Sequence, residues 1–184
     1  MAITLSLGLL LLRLVAGLTL AVHGAQRFGW FGGFGWTSAA QGMQKQGFNP
    51  AWFWTSLMIL GEFGGGLSLV FGFLTPLGAA GAVGAMFMAI VKVHWKHGFW
   101  NRDHGLEFPL QLLASSLAIG LMGPGSYSLD TLFGITLPEV LLFGVLAVAA
   151  LLVDIIGLLM SRPAAVAQAE VKSPVEPAGV ETHV

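Results

Sequence analysis

The sequence predicts an all-α membrane protein: a four-helix transmembrane bundle followed by a fifth, C-terminal transmembrane helix. Three observations carry that expectation. Charged residues make up 9% of the 184 positions and hydrophobic ones 55%, against about 25% charged in an ordinary soluble domain. So few polar side chains cannot cover a surface in water. Five segments are apolar enough, and all but a slightly short fourth are long enough, for the roughly twenty residues that a membrane helix needs. They are 3–25, 52–74, 77–95, 107–122 and 139–160. The breaks between most of them fall at prolines and glycines.

The first segment, "MAITLSLGLLLLRLVAGLTLAVHG", has the length of a secretory signal. It lacks the basic start and small-residue cleavage pattern of one, and Arg13 interrupts it, so it reads as a retained membrane helix. The next stretch, "QRFGWFGGFGWTSAAQGMQKQGFNP", suits an interfacial loop, where aromatic rings lie at headgroup depth. Asn49-Pro50 opens the second helix and Thr75-Pro76 closes it, because proline cannot continue a helix and biases the residue before it. Gly61, Gly64, Gly65 and Gly66 in that helix face a third helix rich in Gly and Ala from Gly78 to Ala85. Small residues let backbones approach, so these two helices are expected to pair as a hairpin. Gly123-Pro124-Gly125 closes the fourth helix and Leu137-Pro138 opens the fifth. After Ser161 the chain turns to Pro, Ala, Val and Glu with no periodic apolar face, which predicts a disordered tail. The expected organisation is a core at 1–130, an additional helix at 131–160 and a tail at 161–184.

Charge placement bounds orientation and partners. Arg27, Lys45, Lys92, Lys96, Arg102, Arg162 and Lys172 fall in the first loop, the third connection or the tail, and the opposite face has no Lys or Arg. The positive-inside rule then puts the basic face in the cytoplasm and the N-terminus outside. A net charge of −1 offers no basic face to nucleic acid. The chain has no cysteine, which excludes a thiolate nucleophile, a disulfide relay or an Fe–S centre ligated by this chain alone.

Two ionisable residues stand near the middle of predicted helices. Arg13 and Glu62 lie near the midpoints of helices one and two, and each alone at that depth would cost at least ~2.5–3.5 kcal/mol. Arginine cannot discharge by losing its proton. A mutual pair is therefore expected. It reads either as a staple between helices or as a buried charge that binds a ligand head group or relays a proton. Asp154, nearer the basic face, reads as structural.

The stretch "VKVHWKHGFWNRDHGLEF" (91–108) gathers ionisable residues at the membrane boundary and shares its side with His23 and Arg27. His94/His97 and His104/Glu107 are spaced i,i+3, a spacing that metal ligands use. Six residues separate the pairs, however, and a membrane–water boundary collects such residues without a metal, so no metal site is assigned. A haem between His23 and His94 is geometrically conceivable but ranks behind other readings. Glu107 and Gln111, one turn apart on helix four, could join His94 in hydrogen-bonding a ligand whose apolar body lies among Phe63, Phe87, Trp95 and Phe108. A quinone or another lipid-soluble molecule has that shape; ordinary packing at the boundary is the alternative. The candidate ligand-binding residues are Arg13, His23, Glu62, His94, Glu107 and Gln111, with none assigned as catalytic.

Several of these motifs occur together in a known order. "LRLVAGLTLAVHGAQRFG" resembles the first helix of the DoxX family of bacterial membrane proteins, with Arg13 and His23-Gly24 in matching places. "GEFGGGLSLVFGFLTPLGAAG" resembles the family's second helix, Glu62 being the acid before a glycine run. "VHWKHGFW", "HGLEFPL" and "GPGSYSLD" resemble the third-to-fourth connection and the closing motif, where His94, Gly98, Phe99, Glu107 and Asp130 match. The resemblance spans residues 9–130. It implies a cytoplasmic-membrane protein with a four-helix core, commonly labelled an oxidoreductase. Relatives include a subunit of thiosulfate:quinone oxidoreductase and a partner of superoxide dismutase in a membrane oxidoreductase complex. The leading expectation is a membrane subunit of a redox system that binds quinone or a similar lipophilic ligand. The alternatives are a non-enzymatic membrane anchor or assembly partner for another protein, and a small transporter or proton relay.

Overall fold

The computed structural model describes residues 2–161, and every regular element among them is helical. The expected tail lies, apart from Ser161, outside the described residues. Helix α1 is Ala2–Gln26 and α2 is Gly35–Lys45. Helices α3 (Ala51–Phe71) and α4 (Thr75–His97) form the next two spans. They are followed by α5 (Glu107–Met122), the four-residue α6 (Leu129–Leu132) and α7 (Glu139–Met160). Helices α1, α3, α4 and α7 are long and apolar enough to cross a membrane, whereas α5 is shorter. Its 16 residues span about 24 Å at 1.5 Å per residue, less than a hydrocarbon core of about 30 Å. The molecule is an all-α membrane protein.

Helix α4 occupies the middle, packing on α3, α5 and α7, while α1 lies along α3. The small residues explain why these contacts are so close. A Cβ on Gly61 would lie 2.6 Å from the Gly81 carbonyl oxygen, and one on Gly65 would lie 2.8 Å from that of Gly78. The backbones of α3 and α4 therefore touch directly, as small-residue interfaces in membranes allow. On the other side of α3, Gly17 of α1 meets Gly66 and Val70 in the same way. Between these seams Leu20, Leu69, Val83, Ile119 and Phe143 are buried. The outer faces expose Leu5, Leu11, Val15, Leu141, Leu152 and Leu159, an apolar surface far too extensive for water and suited to lipid.

Two sequence expectations change here. Thr75-Pro76 does not close α3, which ends at Phe71 with Gly72 in the left-handed region at φ 61. Thr75 and Pro76 instead open α4, where a proline in the first turn gives up an N–H that has no helical partner anyway. The stretch 27–50 is not simply a loop either. It contains α2, whose Ala39 and Met43 are buried at i,i+4 spacing, and α2 packs on α3. Both α3 and α4 also widen to a π turn, at Leu60–Gly64 and Ile90–His94.

Candidate functional site

Helices α1 and α3 run antiparallel, with Gly17 against Gly66 and Val70, and Gly24 against Phe63. This register puts Arg13 level with the end of α3, and Glu62 level with Gly24. The two are separated by roughly ten residues, or about 15 Å along the axis. The expected Arg13–Glu62 pair is not formed. Helix midpoints misjudged their depths, because close packing of small residues, not equal length, sets how α1 and α3 align.

Arg13 is 1% exposed and is met by backbone alone. Its Nε donates to Leu69 O at 2.9 Å and Nη2 to Val70 O at 3.2 Å. Nη1 donates to Tyr127 O at 3.0 Å and also to Pro124 O. The last carbonyls of a helix have no helical partner and carry the negative end of its dipole, so a guanidinium there satisfies both. Asp130 completes the joint. Its carboxylate accepts from Leu74 N–H at 2.8 Å, Thr75 N–H at 3.1 Å and Thr75 Oγ1 at 2.9 Å, and its own N–H donates to Gly72 O at 2.9 Å. Arg13 and Asp130 thus clamp α1, the α3–α4 turn and the 123–130 connection together. A Cβ on Gly72 would collide with the guanidinium, so nothing else fits there.

Glu62 finds its partner in Arg27. Nε donates to Oε2 and Nη2 to Oε1, both at 2.8 Å, in a side-on bidentate pair. The Glu62 side chain is 4% exposed and that of Arg27 22%. Arg27 lies just past α1, its N–H held by Gly24 O at 3.1 Å, and its guanidinium stands 5.6 Å from the centre of the Phe34 ring. Glu62 leaves Nη1 unused. Sequence reasoning missed this pair, although a signal existed. Arg27 follows His23 by four residues, on the same helical face, and a long side chain at a helix end can fold back along the apolar surface.

A cavity of about 1120 Å³ borders the pair and is also lined by His23, His94, Phe34 and Phe108. The His23 ring packs on Phe108 with centres 5.4 Å apart. Glu62 sits in the π turn of α3 and His94 in that of α4, a helical irregularity often found at functional sites. His23, Glu62 and His94 thus all border the same cavity, with Arg27 paired to Glu62. Arg13 belongs to the clamp. Glu107 does not line the cavity: its Oε2 accepts from Asn101 N–H at 3.0 Å, which pins the α4–α5 connection. Gln111 is exposed on the outward face of α5, not turned to the bundle as expected. His94 Nδ1 donates to His104 O at 2.6 Å and His97 Nδ1 to Val93 O at 2.9 Å; since a carbonyl only accepts, both rings carry the proton on Nδ1. Among the described residues no three His, Asp or Glu side chains come together as a ligand set.

The profile of the DoxX family matches residues 8–95. The chain is 36% identical over 106 residues to the inner membrane protein YqjF of Escherichia coli strain K12, an alignment covering 56% of this chain and 78% of that protein. No solved structure matches.

Proposed function

The chain belongs to the DoxX family, and on that premise we propose that this integral membrane protein is the membrane subunit of a redox system that binds quinone or a similar lipophilic ligand. The ligand's polar head lies at the Arg27–Glu62 pair and its apolar body runs along the cavity past Phe34 and Phe108. One observation carries the reading: the largely apolar cavity of about 1120 Å³ is bordered by the Arg27–Glu62 pair and by His23 and His94. Few polar groups converging on an apolar pocket is the usual form of a small-molecule site. A quinone carbonyl would accept from Arg27 Nη1, which Glu62 does not use. Electrons come from a partner, since the chain has no cysteine to carry them. The basic connections at Arg27–Lys45 and Lys92–Arg102 face the cytoplasm.

The same lack of cysteine favours a second reading, a non-enzymatic anchor for another membrane or soluble protein. A proton relay through Arg13 and Glu62 has no such pair to run through. Mass spectrometry of the gently purified protein, on lipophilic extract and bound polypeptides together, tests the proposal. Quinone should co-purify and fall about tenfold or more in Arg27→Gln and Glu62→Gln. A stoichiometric polypeptide without any lipophilic molecule would establish the second reading instead.

A further inference from the structure

The cavity has another polar point that the reading above does not use. Asp154 stands on α7 with Oδ2 buried and without a hydrogen-bond partner among the described residues. It faces α4 at Gly84, where a Cβ would lie 3.3 Å from Oδ2 and 3.2 Å from the Ala150 Cβ. The cavity lining also includes Gly81, Gly84 and Ala85 of α4. Trp54, which also lines the cavity, has its ring seated against Gly157 of α7.

The charges do not balance. The described lining holds two carboxyl groups, Glu62 and Asp154, and one guanidinium, that of Arg27, which is already paired with Glu62. On α4, positions 81–89 carry no ionisable side chain, nor do positions 108–122 of α5. Lys92, about two turns further along α4, gives its amine to Ser161 Oγ at 2.7 Å and Gln46 O at 3.3 Å, above the Phe48 ring. Glu139 is at the far end of α7, while His23 packs on Phe108 and His94 bonds His104 O. A lone carboxylate in apolar surroundings is costly. It is satisfied either by keeping its proton or by meeting a cation that can itself enter hydrocarbon.

We propose that the cavity binds, beside Asp154, lipophilic organic cations, ammonium or phosphonium centres with apolar arms, with Asp154 as their counter-ion. Binding exchanges one charge for another: the Asp154 O–H bond breaks, the proton leaves to water, and the carboxylate pairs with the cation. The apolar arms lie among Leu57, Leu146 and Met88, which line the cavity. The inference does not depend on a quinone at the Arg27–Glu62 pair.

Equilibrium binding of radiolabelled tetraphenylphosphonium to the full chain in phosphatidylcholine nanodiscs tests it. Wild type should bind the probe saturably, with release of protons into a weakly buffered medium. Asp154→Asn should weaken binding roughly tenfold or more, the cost of removing one partner from a buried charge pair. A second measurement needs no variant. Dicyclohexylcarbodiimide, across whose C=N bond a carboxylic O–H adds, should label the Asp154 peptide, and saturating tetraphenylphosphonium should protect it. Lack of saturable binding to wild type, equal binding by Asp154→Asn, or an Asp154 peptide that is unlabelled or unprotected overturns the proposal.

Discussion

Arg13 and Arg27 lie about four turns of chain apart, and the protein treats them in opposite ways. Arg13 is enclosed by the carbonyls of Leu69, Val70, Pro124 and Tyr127. None of these can titrate or swing away, and each belongs to backbone that the guanidinium fixes in place. Arg27 meets a single carboxylate and keeps one edge towards a cavity. Two identical side chains thus serve different ends. A charge satisfied by backbone holds segments together, whereas a charge satisfied by a side chain beside open volume can be shared with a visitor.

The largest expected effect is at the clamp. Arg13→Met deprives carbonyls of two chain segments of their guanidinium donor and should cost about 3–5 kcal/mol, seen as loss of folded protein in detergent thermal unfolding. Arg13→Lys should recover only part, because a compact ammonium cannot reach along a fork. An Arg13→Met protein that melts like wild type would erase the contrast. Next comes the seam that sets the register. Gly66→Val drives side-chain atoms into the α1 backbone at Gly17 and Ala21 and should cost about 1–3 kcal/mol by the same measurement. Glu62→Gln should be milder for stability, about 1 kcal/mol, since an amide oxygen still accepts from Arg27, yet it should abolish most of the co-purifying ligand. If stability and ligand fell together at both arginines, the division of labour would be wrong. The smallest effect belongs to Gln111→Leu, within about 0.5 kcal/mol and without change in bound ligand, because that side chain faces away from the bundle.

Much of the helical layout was legible before any coordinates. The bounds of α5 and α7 follow from Gly123-Pro124-Gly125 and Leu137-Pro138, where backbone chemistry leaves little choice. The α3–α4 turn was misplaced by a few residues because Pro76 was read as a stop, when a proline can equally begin a helix. The pairing of Glu62 was not legible for a deeper reason. Depth was read from each helix alone, while the true register is a property of two surfaces, Gly17 and Gly24 fitting against Gly66 and Phe63. Asp130 illustrates the same limit: the closing motif could be recognised, but that its carboxylate would receive the first N–H groups of α4, across more than fifty residues, could not. His23 and His94 could be placed at the right end because alternation of antiparallel helices alone determines that.

The two π turns have a consequence for how such a chain can change. A gain or loss of one residue in a packed helix ordinarily turns everything beyond it by about 100° and spoils each contact there. At Leu60–Gly64 and Ile90–His94 one residue is already in surplus over regular α geometry. Deleting one there would tighten the turn and leave the faces on either side where they were. α3 and α4 therefore hold slack at the very positions of Glu62 and His94, so a one-residue deletion can reshape the pocket wall while the contacts beyond it stay in step.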